Sequence, residues 1–250
     1  MCKFSSQKIF HLPIYQFTQL PIAFMLLVSI DTSGKSGGIT LAEGDRNGFR
    51  VLESSSIAGG TFSAQLVPTL ASLLQRHGFT AREIGGFAAV SGPGSFTGLR
   101  VGLSAIKGLA EVLKLPIATV SLLEALATSS YQQGTIATAL DAGRSEVYFG
   151  LFSFSNGRAR KIAEELLSQT EFASRLTETK PVRLVTSDHA VAELSLVTGA
   201  QVQEVTRPGS EVIARIGLQK LLANETVSVE ALDANYIRRS DAEILSKPQR

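Results

Sequence analysis

The stretch SGPGSFTGLRVG, residues 91–102, limits the architecture of this chain more than any other. Three glycines and a proline fall within seven residues, directly after the apolar run GGFAAV and directly before a helical pattern. A chain that passes from a buried strand into an amphipathic helix through so tight a turn builds a strand–turn–helix unit, and repeated units of that kind make an α/β fold. Leu99, Leu103, Ile106, Ala110 and Leu113 recur on one helical face, while Arg100, Lys107, Glu111 and Lys114 share a solvated one. Gly98 and Gly102, four residues apart, let this helix approach a neighbour closely. Each costs about 1 kcal/mol of helix stability against alanine, which implies that packing requires them.

The rest of the chain repeats the alternation. LLVSID (26–31) is a short apolar strand ending on an acidic residue. GGITLAEG (37–44) and FRVLESSS (49–56), joined by the turn GDRNG, extend it into an antiparallel meander. FSAQLVPTLASLLQRHG (62–78) places Leu66, Leu70, Leu73 and Leu74 on one face of a helix that Gly78 ends, with Pro68 in or near its first turns. PIATV (116–120) is a strand, and SLLEALATSSY (121–131) a helix with Ser121 and Glu124 at capping-box spacing. TIATALDAG (135–143) is again a strand that reaches an aspartate; SEVYFGLFSF (145–154) follows, and NGR (156–158) makes a hairpin turn. Further alternation runs through PVRLVTS (181–187) and SEVIARIGLQKLLANE (210–225). The two strand-to-Asp units end at Asp31 and Asp141, 110 residues apart, and predict two related lobes. The division is 25–132 for the first lobe, joined by a helix at about 209–224, with 133–208 for a smaller second lobe and 225–250 for a C-terminal segment.

Composition excludes several classes. Hydrophobic residues at 44% and charged residues at 18% are globular values. Lys plus Arg number 24 and Asp plus Glu 22, a balance of +2 that gives no electrostatic case for nucleic-acid binding by the chain alone. One cysteine, Cys2, rules out a disulfide framework or a cysteine metal site within the chain and fits a cytoplasmic protein. Residues 1–24 have no helix or strand period. Lys3 and Lys8 precede apolar residues, but Pro13 and Pro21 interrupt the run and no small-residue cleavage site follows. The apolar run from Leu20 to Ile30 is too short to cross a bilayer. The folded domain is expected to begin near Met25, with an extension or misassigned start before it that packs poorly.

Two places could hold chemistry. The loop Gly92, Pro93, Gly94, Ser95, Phe96, Thr97, Gly98 presents backbone N–H groups at a helix start, where an anion is favoured. It lacks the lysine and spacing of a P-loop, and Thr97 stands where a dinucleotide fingerprint requires glycine. GKS at 34–36 has Ser29 where the first P-loop glycine belongs. Ser95 lacks the flanking glycines of a hydrolase elbow and a histidine base; His11, His77 and His189 are scattered, His77 as a helix C-cap and His189 as a helix start. No catalytic residue and no metal site follows. A phosphate cradle and a tight packing turn both stand as readings of this loop. The second place is the pair of aspartates. Asp31 with Thr32 and Ser33, and Asp141 with Arg144, could line a nucleotide cleft between lobes, or the aspartates could simply cap turns.

IDTS, VSGPGSFTGLRVGLSAIKGLA, PIATVSLLEALA, DAGRSEVYFGLF and the late ANYIRR, in that order, resemble the TsaB (YeaZ) family from about Met25 to about Arg239. The resemblance implies an actin-like fold of two lobes, the second reduced, and a part in making N6-threonylcarbamoyladenosine beside the anticodon of ANN-reading tRNAs. It implies a supporting, non-catalytic role: TsaD as heterodimer partner and carrier of the metal site, TsaE as ATPase in a ternary complex, tRNA met through the complex, no membrane, and a homodimer as an option for the isolated chain. No cofactor of its own is implied, although the ancestral cleft leaves room for ATP or ADP. TsaD-like relatives carry two histidines four apart on the helix where this chain has Leu122 and Leu126. Phe62 replaces a histidine common at the start of its helix. The docking surface is expected on the first-lobe helices, at Phe62, Gln65, Leu66, Thr69, Leu73, Arg100 and Lys107.

Overall fold

A computed structural model describes residues 24–235 and 237. The expected N-terminal extension up to residue 23 lies outside the described residues, as do Tyr236 and residues 238–250 with much of ANYIRR.

The first sheet contains β1 (Met25–Asp31), β2 (Ser36–Gly44), β3 (Phe49–Ala58), β4 (Ile84–Gly92) and β5 (Ile117–Ser121), in the order β3-β2-β1-β4-β5. β1, β2 and β3 form the antiparallel meander, while β4 and β5 run parallel to β1. The second sheet contains β6 (Gly134–Gly143), β7 (Glu146–Ser155), β8 (Arg158–Ser168), β9 (Arg183–Thr186) and β10 (Val202–Glu204). Its order, β8-β7-β6-β9-β10, repeats the first, again with a meander of three strands followed by two parallel ones. β1 and β6 are therefore equivalent central strands. Both are apolar across both faces, because helices cover each side of a central parallel strand. The reduction of the second lobe is visible in β9 and β10, of 4 and 3 residues.

Among the described residues six α-helices join the strands: α1 (Phe62–Arg76), α2 (Phe96–Leu113), α3 (Leu122–Thr128), α4 (Gln169–Thr179), α5 (His189–Leu196) and α6 (Ser210–Leu222). α1 and α2 pack together on one face of the first sheet; α6 returns from the second lobe to cover the other. Pro68 lies well inside α1 rather than at its start. The N–H it lacks would have bonded the Ala64 carbonyl, and Ala64 is exposed, so water can take the freed acceptor. α3 is buried on all sides between the two sheets. Its Ser121 cap accepts from the Leu123 N–H at 3.2 Å, and Glu124 is turned toward α6. The NGR turn closes the β7–β8 hairpin with Asn156 at φ 51° and Gly157 at φ 73°, the two positive values that a two-residue turn of this kind needs. In the second lobe Phe149 meets Phe172 edge to face at 6.0 Å above Leu176 and Leu184, a core separate from the first.

After α6 the chain forms a strap back across the first lobe. The Val227 N–H donates to the Ile117 carbonyl at 2.9 Å and the Asn235 N–H to the Ser91 carbonyl at 2.7 Å. The Asn235 side chain then reaches Glu164 Oε2 on β8 at 3.0 Å, so one residue is tied to both lobes.

Candidate functional site

The ends of β1 and β4 bring the two sequence-predicted loops together, and they satisfy each other. Asp31, Thr32 and Ser33 are 4%, 3% and 3% exposed. Asp31 Oδ1 accepts from both the backbone N–H and the hydroxyl of Ser33. With its one hydrogen given to Asp31, Ser33 Oγ also accepts from Arg207 Nη2 at 2.7 Å. Thr32 Oγ1 donates to the Gly98 carbonyl at 2.7 Å, and the Ser33 carbonyl accepts from the Ser95 N–H at 2.8 Å. The Thr32 hydroxyl is thus turned into the glycine loop, and the Ser33 hydroxyl is taken up by Asp31 and Arg207.

The glycine loop is shaped by the same contact. A Cβ at Gly94 would stand 2.4 Å from the Ser33 carbonyl oxygen, and one at Gly98 would stand 2.0 Å from that of Thr32. These positions are glycine because another backbone occupies the side-chain space. The neighbour that the Gly98–Gly102 spacing anticipates is the 31–33 turn rather than a helix. The Gly92–Pro93 bond is cis and Gly92 has φ 137°. Ser95 is the N-cap of α2, its Oγ accepting from the Gly98 N–H at 3.2 Å. Pro93, Phe96 and Thr97 sit on the outer side of the loop.

That outer side faces a cleft of 1130 Å³ between the lobes. Ser33 and Asp141 line it, whereas Asp31 and Thr32 lie beneath its floor and Arg144, exposed with φ 58°, is not among the lining residues. Asp141 caps its own turn: its Oδ1 accepts from the Gly143 N–H at 2.8 Å, and its N–H donates to Asp188 Oδ2 at 2.7 Å. Lys35 and Arg207 supply cationic lining that sequence reading missed. Lys35 follows the DTS motif by two residues and was within reach of local inspection. Arg207 stands 174 residues from its partner Ser33, and no local pattern announces it.

A second concavity, of 510 Å³, runs between α1 and α2, floored by Phe62 and Leu66 and rimmed by Val67, Phe96, Arg100 and Val101. The Arg100 guanidinium covers the Phe96 ring at 3.8 Å. Of the residues expected on a docking surface, Gln65 and Arg100 are exposed and Thr69 is half-buried. Phe62 and Leu66 are core residues that reach the surface only as the groove floor, and Leu73, 0% exposed, offers no surface at all. The period that selected Leu73 marks the face turned to the sheet. Lys107 is half-buried near Glu230, whose carboxyl is held low by its own backbone and Ser228 first, and by Lys107 and Lys114 after them.

Leu122 and Leu126 are fully buried on α3, in the shared core. Among the described residues no three His, Cys, Asp or Glu side chains stand together as a metal site. His77 Nε2 lies 2.9 Å from Glu53, which Arg76 also forks, a surface cluster at the end of α1. No helix among the described residues is long and apolar enough to cross a membrane.

Residues 55–214 match the family model described as TsaD: tRNA N6-adenosine threonylcarbamoyltransferase. The chain is 28% identical over 230 residues to the tRNA threonylcarbamoyladenosine biosynthesis protein TsaB of Bacillus subtilis (strain 168), covering 88% of this chain and 96% of that one. It is 26% identical to the protein of the same name from Escherichia coli (strain K12), over 87% and 96% of the two lengths. Among solved structures, a Pseudomonas aeruginosa protein described as having similarity to peptidase YEAZ superposes with a TM-score of 0.71 at 25% identity, over 86% of this chain and all (100%) of that one. YeaZ from Pseudomonas aeruginosa gives 0.65 at 22% identity, over 84% and 99%. The duplicated sheets and these neighbours make the fold actin-like and two-lobed.

Proposed function

This chain belongs to the tRNA N6-adenosine threonylcarbamoyltransferase family, on its TsaB branch, and from that premise we propose that it is a non-catalytic subunit supporting the TsaD-type transferase in forming N6-threonylcarbamoyladenosine on ANN-reading tRNAs. The observation that carries this reading is the closure of the 31–33 turn on the glycine loop. A phosphate-handling enzyme of this fold needs free hydroxyls and backbone donors at that point, and here the Thr32 hydroxyl is given to Gly98, the Ser33 hydroxyl to Asp31, and the Ser33 and Ser95 N–H groups to Asp31 and Ser33. The leucines on α3 support the same reading, since Leu122 and Leu126 contribute buried apolar area where relatives place metal ligands. The subunit acts by association: a TsaD partner on the α1–α2 face, TsaE joining that pair, tRNA reached through the complex, and a homodimer when the chain is alone in the cytoplasm. The near-even charge suits a chain that does not itself grip RNA.

A second reading has one observation of its own. Arg207 Nε is buried without a partner beside the cleft, and Lys35 lines the same space. ATP or ADP bound there with its phosphates toward these cations would make the subunit a nucleotide-responsive partner, still without turnover.

The test is reconstitution of the modification from this chain, its cognate TsaD and TsaE, tRNA, ATP and a threonylcarbamoyl-adenylate supply, with each protein omitted in turn. The reading requires activity that disappears without this chain, while the chain alone turns over no ATP. Dispensability, or ATP hydrolysis by the chain alone that Asp31→Asn abolishes, would overturn it.

A further inference from the structure

The strap that follows α6 is fastened to the two lobes in different ways. To the first lobe it is held by backbone and by burial. Its Val227 N–H donates to Ile117 on β5 and its Asn235 N–H to Ser91 on β4, while Leu232 and Ala234 are buried in the main core. To the second lobe, among the described hydrogen bonds and ion pairs, it is held by side chains alone. Arg158 Nη2 donates to Glu225 Oε1 at 3.0 Å, and Asn235 Nδ2 donates to Glu164 Oε2 at 3.0 Å. β5 and β8 are edge strands of their sheets, so the strap joins one edge to the other.

The backbone of β8 is bent to make the second of these contacts. Leu151 pairs with Ala163 and Phe152 with Lys161, so Ile162 is an extra residue, a bulge. It brings Lys161 and Glu164 side by side, where residues three apart in a regular strand face opposite ways. Closing the contact leaves a demand unmet. The Glu164 side chain is 4% exposed, and its Oε1 is buried and meets no donor among the described residues. Opening the contact lets water reach that oxygen, which offsets part of what the Asn235 bond contributes. The Arg158–Glu225 pair, 38% and 55% exposed, adds little, as solvated ion pairs do. The fastening to the second lobe is therefore weak where that to the first is firm.

Both walls of the large cleft are within reach of Asn235. Ser91, which accepts its N–H, precedes Gly92, and the Asn235 carbonyl oxygen stands 2.9 Å from where a Cβ on Gly92 would be. Pro93 and Gly94, next along the chain, line the cleft. On the other side Glu164 pairs with Gly150, and Gly150 with Thr138, on the same strand as the cleft residue Asp141. Between the two sheets lies α3, whose packing is apolar and so has no preferred direction. Layers packed in that way move by small sliding shifts. We propose that residues 225–235 are a clasp that sets the angle between the lobes, and with it the width of the large cleft. It is closed while Asn235 and Glu225 hold β8, and open when they release it. This device is independent of the tRNA-modification reading.

The test is double electron–electron resonance on the full chain, with spin labels on Ser63→Cys in α1 and Ala190→Cys in α5, one exposed position in each lobe. Cys2→Ser removes the natural thiol. With the clasp intact the labels should give one narrow distance distribution. Asn235→Ala combined with Arg158→Gln cuts both side-chain contacts, keeps the backbone bonds of the strap, and should give a broader distribution with a longer mean. Each single change should fall between. Glu165→Gln removes the pair with Arg175 on the same strand without touching the strap, and should leave the distribution as it was. A double variant with an unchanged distribution, an intact clasp as broad as the double variant, or equal broadening by Glu165→Gln would each overturn the proposal. If the double variant does not fold, the two single variants decide the same question.

Discussion

Thr32 and Gly98, 66 residues apart, are locked face to face: the threonine hydroxyl donates to the glycine carbonyl at 2.7 Å, and the Thr32 carbonyl oxygen fills the space where a Cβ on Gly98 would stand. The contact joins the first turn of α2 to the end of β1. It holds the floor of the interlobe cleft in place.

Gly98→Ala should therefore destabilise the protein, although alanine is the better helix former. Its methyl would meet backbone at 2.0 Å, which no side-chain rotation relieves. About 3 kcal/mol is the scale for overpacking a rigid contact, roughly 6–12 °C in Tm for a chain of this size. Gly108 is the internal control, in the same helix with nothing within 4 Å of a Cβ. Gly108→Ala should stabilise by up to about 1 kcal/mol. Thermal melts of the two variants decide the matter, and two shifts of the same sign would mean the loops are not rigidly joined.

Lys220 and Glu124 make a buried pair whose halves are unequal. Burial pushes the Glu124 carboxyl up from 4.5, against the lowering effect of Lys220. Lys220→Met strands the carboxylate and should cost about 3–5 kcal/mol at neutral pH. Lys220→Met combined with Glu124→Leu should recover most of that loss. The pH dependence has a defined sign. A raised carboxyl pKa means the folded state takes up its proton at higher pH than the unfolded chain. The penalty in Lys220→Met is therefore full above the folded pKa and fades as pH falls toward 4.5. Urea melts across that range should show the single variant approaching the wild type as acid is added.

What could be read from residue order follows from how local each signal is. The meander, the NGR turn and the amphipathic helices depend on neighbours within a few positions, and Asp31 and Asp141 do end equivalent stretches of β1 and β6. The direction in which Thr32 and Ser33 point does not. It depends on Gly98 and on Arg207, 66 and 174 residues away, and only the assembled fold shows both hydroxyls already bonded to protein groups. Leu66 and Leu73 carry a different lesson. Apolar period identifies the buried face of α1, but what buries it, sheet or partner, is not written in the period. Val67, an apolar residue of that helix that faces the surface, falls off the stripe, so the period does not point to it.

The second lobe should show two titrations of opposite sense. The hydrogen bond and charge of Glu204, with Glu193 behind them, raise His189 above 6.5. The stability it contributes is complete below 6.5 and is lost as pH rises through the folded value. Glu171 is lowered by the Ser168 hydroxyl and then by the Ser168 backbone N–H, in the box that caps α4. Its contribution is present above 4.5 and is lost as pH falls through the folded value. In plots of Tm against pH, His189→Gln should lie below the wild type at pH 6 and converge with it in mild alkali. Glu171→Gln should lie below it at neutrality and converge in acid. Curves parallel to the wild type would refute both assignments.

The groove between α1 and α2 carries the proposed partner contact, and its apolar wall is where a charge should do most harm. Val67 is 52% exposed on that wall, beside Phe96 at 39%. This pair stands partly open to water over a core-residue floor, and interface cores are depleted in charge for the reason that burying one unpaired is costly. Val67→Glu should therefore leave stability within about 0.5 kcal/mol of the wild type, as surface changes do. It should nevertheless abolish co-elution with the TsaD-type partner and, with it, tRNA modification in the reconstituted system. Val112, 80% exposed near the far end of α2 and outside the groove, supplies the comparison: Val112→Glu adds the same charge to the same pair of helices and should leave both association and modification intact. If the two variants behave alike in the co-elution experiment, the partner lies elsewhere on the first lobe.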